Sequence, residues 1–367
     1  LNQRRISYRL KSIFKHLDGI LVALVCCVLI ISATVVFSAS GQSMARLSGH
    51  MVNMALALGV MVIMANVPPH LLARVGPVLY GIGLVLLLGV ALFGEVRNGA
   101  RRWIYLGFAF QPSELLKLAL PLMMAWYFQR NEAILGWKHH AIGALLLLLP
   151  FLLIMRQPDL GTAMLIGASG FYLLFFAGLS WKIIVGGGTL ALASLPLVWN
   201  VMHDYQRQRV MTLLDPSSDP LGAGYHIIQS SIAIGSGGFL GDGWMKGTQN
   251  QLDFIPERTT DFIFAVFGEE FGYVGALVLM VLYMGIVARG LVIAARASTL
   301  FGRLMAGTIS LNFFTYVFVN MGMVSGVLPV VGVPLPLMSY GGTAMITLLL
   351  GLGMVMSVGT HRQLNKS

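Results

Sequence analysis

Charge is scarce in this chain. Lys, Arg, Asp and Glu make up 10% of its 367 residues and apolar side chains 57%, with a mean hydropathy of +0.80. A soluble domain carries about a quarter charged residues, so the composition excludes an ordinary water-soluble globule and implies several membrane spans. Cysteine is nearly absent as well. The two present, Cys26 and Cys27, adjoin within one apolar run, which excludes a disulfide framework and a spaced thiolate metal site. No H-E-x-x-H, D-x-D, C-x-x-C or Ser-His-Asp arrangement stands at a usable place, and His226 has no partner in sequence, so no protein-built metal site is expected. The glycines Gly235, Gly237, Gly238, Gly241 and Gly243 match neither G-x-G-x-x-G nor G-x-x-x-x-G-K; they read as tight turns rather than a nucleotide loop.

What the chain does have is long apolar runs. Ten of them approach the ~20 residues that a helix needs to cross a bilayer, centred near positions 28, 58, 84, 121, 148, 170, 191, 276, 314 and 350. They lack the period-two alternation of barrel strands, so the expected fold is an all-α polytopic bundle of about ten transmembrane helices. The expected layout is a basic tail over 1–18, seven spans within 19–202, a long outer loop over 203–260, three spans within 261–359 and a short tail over 360–367. The run from Gly19 to Phe37 is too long for a signal core and reads as an uncleaved first span.

Both ends are basic, with Arg4, Arg5, Arg9, Lys11 and Lys15 at one and Arg362 and Lys366 at the other, which places both in the cytoplasm. Nine further cations, Arg101, Arg102, Arg207, Arg209 and Arg258 among them, then fall outside, against the usual bias. Singly they can snorkel or pair with Asp204, Asp215 and Asp219; together they suggest an anionic ligand. Much of the net charge of +10 is cytoplasmic anchoring facing anionic lipid, so nucleic acid is not an expected partner.

The outer loop holds aromatic and β-branched residues that favour burial, and it is expected to fold onto the bundle or dip into its mouth. Two proline pairs, "DPSSDP" at 215–220 and "GVPLPL" at 332–337, break the backbone near membrane depth, where irregular chain survives if protein buries it or water reaches it. Three places set ionisable groups at the membrane. In "QPSELLK", Glu114 and Lys117 share a helical face at i, i+3 and form either a neutralising pair or a phosphate-holding group. In "NGARRWI", tandem arginines suit pyrophosphate, while Trp103 also suits an interfacial belt. In "ERTTDFIFAVFGEEFG", Asp261 heads a face with Ala265, Gly268 and Gly272, as a helix cap or as a base whose pKa apolar packing must raise.

These stretches, with "QPDLGTA", "YQRQRVMTLLDPSSDPLGAGYHIIQS", "GTQNQLDFIPER" and "NMGMVSGVLPVVGVPLPLMSYGGTAM", resemble in order the SEDS family (shape, elongation, division and sporulation), and "GTQNQLDFIPER" its elongation-type branch. The resemblance implies a peptidoglycan glycosyltransferase that polymerises lipid II, as donor and acceptor, on the outer face of the inner membrane. It implies as partners a class B penicillin-binding protein and other elongation-complex membrane proteins. The family's essential carboxylate maps to Asp261, and its cavity residues to Arg102, Trp103, Gln111, Glu114, Lys117 and Arg209. Thr259 departs from the pattern, since the family commonly has histidine there. The implied chemistry is inverting, with Asp261 as general base; no cofactor is required, though a divalent cation can enter through the substrate pyrophosphate. A lipid II flippase and a non-enzymatic scaffold for the transpeptidase are the alternatives, and the ionisable cluster near the outer mouth favours chemistry over transport.

Overall fold

The computed structural model describes residues 15–97, 100–105, 109–157, 159–202, 204–219 and 222–361. Most of the basic amino-terminal tail and Arg362 and Lys366 lie outside them. Each of the ten expected centres falls inside one helix: α1 (Gly19–Ala39), α2 (Met44–Ala65), α3 (Pro69–Phe93), α4 (Pro112–Arg130), α5 (Trp137–Met155), α6 (Leu160–Phe176), α7 (Trp181–Val201), α11 (Ile263–Ala295), α12 (Leu300–Val324) and α13 (Gly342–Thr360). Eight of these are long and apolar enough to cross a membrane by length and composition. The other two are α4, which carries Glu114 and Lys117, and the 17-residue α6. The chain is a multi-pass membrane protein.

The helices start where the chain offers caps. Asp18 accepts the Leu21 amide at the head of α1, Ser43 that of Arg46 at α2, Asp159 that of Thr162 at α6, and Thr299 that of Gly302 at α12. Packing then sorts them. In α12, 72% of the apolar window is buried against protein, so it lies inside the bundle, whereas in α7 the figure is 0% and the helix stands at its periphery.

Between α3 and α4 the chain departs from the all-helical expectation. Short strands β1 (Glu95–Arg97), β2 (Ala100–Tyr105) and β3 (Ala109–Phe110) form an antiparallel sheet in the order β1-β2-β3, with Glu95 opposite Trp103.

The long connection folds onto the bundle through α8 (Asp204–Leu214), α9 (Ala223–Ser236), a glycine-rich strap and α10 (Thr248–Gln251). Two buried carboxylates of α11 anchor it. Glu269 accepts the amides of Gln249 (2.7 Å) and Asn250 (3.2 Å) and so caps α10 from a distance, while Glu270 accepts from Ser38 Oγ on α1. Sequence reading gave these two glutamates no such task. The glycines Gly238, Gly241 and Gly243 do make turns, with φ of 51°, 80° and 100°.

Helical counting from Asp261 to Gly272 does not survive. The helix begins at Ile263, after Asp261, and Gly272 breaks the phase with φ 62° and ψ −163°. A Cβ on Gly272 would lie 2.3 Å from the amide nitrogen of Gly241. Both the backbone region and the contact demand glycine. Gly272→Ala is therefore expected to destabilise the protein by about 3 kcal/mol or more, read as a lower unfolding temperature in detergent. Gly59→Ala, in open space on α2 with an ordinary φ, is the control and should not lower it.

Candidate active site

A cavity of about 440 Å³ lies among the amino-terminal ends of α4, α6 and α13, the irregular segment 331–341 and the turn that leads into α11. Its wall includes Trp103, Gln111, Glu114, Lys117, Asp159 and Asp261. Three helix dipoles thus present positive ends to one space. At two of them the N-cap residue, Gln111 of α4 or Gly341 of α13, makes no side-chain cap bond; on α13 this leaves first-turn amides without a side-chain acceptor, whereas on α4 Pro112 has no N–H and the Glu114 amide donates to Gln111 O. At the third, Asp159 caps α6 and also accepts Gln111 Nε2 at 3.2 Å, tying the head of α4 to that of α6.

Lys117 Nζ lies 2.5 Å from Glu114 Oε1 and 5.3 Å from the centroid of the Tyr316 ring. The two side chains are 11% and 17% exposed: the neutralising pair forms, and both residues still line the cavity. The second carboxylate oxygen, Glu114 Oε2, is buried without a hydrogen-bond partner.

Asp261 does not cap α11, whose N-cap is Phe262. Its backbone is instead held by a clamp. The carbonyl of Thr259 accepts the Tyr340 amide (2.8 Å), that of Thr260 accepts Ser339 Oγ (2.6 Å), and that of Asp261 accepts Asn320 Nδ2 (2.8 Å). Asn320 also donates to Val333 O at 2.7 Å, and Ser339 Oγ accepts the Leu335 amide at 2.8 Å, so the clamp and the irregular segment are one network. The Asp261 carboxylate has no hydrogen bond or ion pair among the described residues. Burial, and then the negative charge of Glu257, push its pKa up to about 6. Glu257 is itself held, its carboxylate accepting Thr260 Oγ1 at 2.9 Å.

Five of the seven sequence-predicted residues, Trp103, Gln111, Glu114, Lys117 and Asp261, line this one cavity. Arg209, on α8, is not among its lining residues, and Arg102 lies on β2 with its side chain outside the described part of the structure. The "GVPLPL" segment joins the wall, through Gly332 to Leu335 and Leu337, whereas "DPSSDP" does not. Sequence reasoning missed Asp159, Asn320, Ser339 and Tyr340. All four sit inside the stretches that carried the family resemblance, but nothing in their spacing linked them to Asp261.

A family profile described as cell cycle protein, FtsW/RodA/SpoVE, matches residues 15–364. The chain belongs to this family. It is 53% identical over 351 residues to the peptidoglycan glycosyltransferase MrdB of Escherichia coli K12, covering 95% of each chain. To the probable peptidoglycan glycosyltransferase FtsW of Geobacter metallireducens it is 39% identical over 290 residues, 78% of this chain and 76% of that one. Among solved structures, one described as structural coordination of polymerization and crosslinking by a peptidoglycan synthase complex superposes with a TM-score of 0.81 at 36% identity, covering 94% of this chain and 99% of that one. Thermus thermophilus rod shape determining protein RodA gives 0.70 at 31%, covering 94% and 97%. Within the FtsW/RodA/SpoVE family the chain is of the RodA, or elongation, type.

The Glu114–Lys117 pair generates a stability prediction. Lys117→Met leaves a buried carboxylate without its cation and should destabilise the protein by about 3 kcal/mol, seen in thermal unfolding. Adding Glu114→Gln should recover most of that loss.

Proposed function

We propose that this chain, a peptidoglycan glycosyltransferase, polymerises lipid II during cell elongation at the outer face of the inner membrane, with both termini cytoplasmic. The observation that carries the reading is the Asp261 carboxylate: backbone-clamped, without a partner of its own among the described residues, and facing a cavity that holds Lys117 and the uncapped head of α13.

Asp261 removes the proton from the 4-hydroxyl of the acceptor's GlcNAc as that oxygen attacks the anomeric carbon of the donor's MurNAc. The bond from that carbon to the polyprenyl pyrophosphate breaks, and the configuration inverts. One carboxylate suffices, since an inverting displacement needs a base and pyrophosphate leaves without a strong acid. Its developing charge falls to Lys117 and the first-turn amides of α13, and these donors are already in position, so little reorganisation is needed during the step. The family resemblance adds Arg102 and Arg209 as further cations for the pyrophosphate, and Trp103 and Gln111, in the cavity wall, bound the sugar. A divalent cation, where the reaction uses one, would come with the pyrophosphate it neutralises.

The likeness to a structure described as coordinating polymerization and crosslinking supports a penicillin-binding protein partner, which the reading takes to be a class B transpeptidase; other elongation-complex membrane proteins are further partners implied by the family resemblance.

The test is polymerisation of purified lipid II by the detergent-solubilised protein with its transpeptidase partner. Asp261→Asn should fold and bind the partner normally yet lose about 10²–10⁴-fold in rate; equal product from the variant would reject Asp261 as the base. A second expectation concerns pH. A base acts deprotonated, so kcat/KM should rise with pH through about 6. Glu257→Gln removes a charge that holds this pKa up, and should move the limb to lower pH.

A further inference from the structure

Two antiparallel helices set a ruler across the membrane. At one end of α1, Asp18 receives Arg289 of α11, Nη2 to Oδ2 at 2.6 Å; at the other, Ser38 meets Glu270. The 21 residues of α1 hold no charge and rise about 1.5 Å each, so the helix matches the hydrocarbon thickness and its ends mark the two boundaries. On α11 the boundary nearer Asp261 therefore lies beside Glu270. Side-chain exposure agrees: Ile263 to Glu270 are buried by protein, and large exposed side chains begin at Tyr273 and continue through Val274, Leu277 and Val278.

The glycine-rich strap reaches this boundary and is pinned to it. The Tyr273 amide donates to Gly238 O (3.0 Å) and that of Val274 to Phe239 O (3.1 Å), and the Phe239 and Tyr273 rings stack at 6.0 Å. Trp244 Nε1 donates to Thr34 O at 3.1 Å, five residues short of the end of α1 and so about 7 Å inside it. Despite these attachments, Phe239, Leu240 and Trp244 are 68%, 75% and 48% exposed. Glycine contacts make the presentation rigid, since a Cβ on Gly237 or Gly241 would lie 2.1–2.2 Å from carbonyl oxygens of α11.

We infer that segment 239–244 lies in the headgroup–acyl boundary of the leaflet nearer Asp261, with Phe239, Leu240 and Trp244 set among lipid. Lipid is the occupant because the apolar face runs without a break onto the lipid-facing side of α11. The composition suits that depth, with aromatic side chains at the boundary and Asp242 and Lys246 on either side of Trp244. The strap lies on the membrane and does not span it.

The experiment replaces the other five tryptophans with phenylalanine, leaving Trp244, and reconstitutes the protein in phosphatidylcholine vesicles brominated either near the headgroup or at the chain ends. Emission should be blue-shifted and fall about twofold with shallow bromines, less with deep ones and little with aqueous iodide, as a burial of about 5–10 Å requires. Quenching by iodide and by neither lipid would overturn the inference. So would lipid quenching abolished by the bound transpeptidase, which would make the face a protein-docking surface. Should the tryptophan variant fail to fold, a nitroxide on Leu240→Cys, with Cys26→Ala and Cys27→Ala, gives the same reading. Collision with oxygen above that with a water-soluble nickel chelate supports lipid contact, and the reverse order rejects it.

Discussion

Three consecutive peptide carbonyls, those of Thr259, Thr260 and Asp261, each accept one hydrogen bond from a distant part of the chain. The rest of the site depends on this clamp. It fixes the Asp261 backbone without using its side chain, so the carboxylate is placed yet left unsatisfied, and burial together with Glu257 can act on its proton affinity. A capping role or an ion pair would have placed it equally well and lowered its pKa, which is the wrong direction for a base. The clamp joins Asn320 of α12, the most enclosed of the candidate spans, to the irregular 331–341 segment, so the base is referred to the interior of the bundle.

The same economy appears at the other end of the first turns of α11. Glu269, buried near the break at Gly272, holds down the long connection by accepting two backbone amides, and Glu270 beside it accepts a hydroxyl from α1. Burying two adjacent carboxylates is costly unless donors surround them. The donors to Glu269 come from α10, so the long connection is packed onto α11, while that to Glu270 comes from α1 and leaves its Oε2 without a partner among the described residues.

Much of this was legible in sequence, and physics explains the division. The spans were readable because a bilayer imposes length and apolarity on each helix independently of its neighbours. Glu114 and Lys117 were readable because i, i+3 spacing is local. The clamp was not: Asn320 lies 59 residues and Ser339 nearly 80 from the carbonyls they bind, and Asn and Ser in an apolar run announce a hydrogen bond without naming its partner. The face count from Asp261 to Gly272 failed because it assumed one unbroken helix, and Gly272 leaves the helical region. The small sheet was missed because strands of two to six residues are too short to display a period.

Because the clamp reads only the carbonyl at position 259, the side chain there is not part of the grip. Thr259 lines a separate, more open depression with Arg46 and Arg258 and does not line the cavity that holds Asp261. A chain with threonine where its relatives commonly carry histidine can therefore keep the base in the same place. A change of side chain at position 259 leaves all three carbonyl bonds that hold the Asp261 backbone in place.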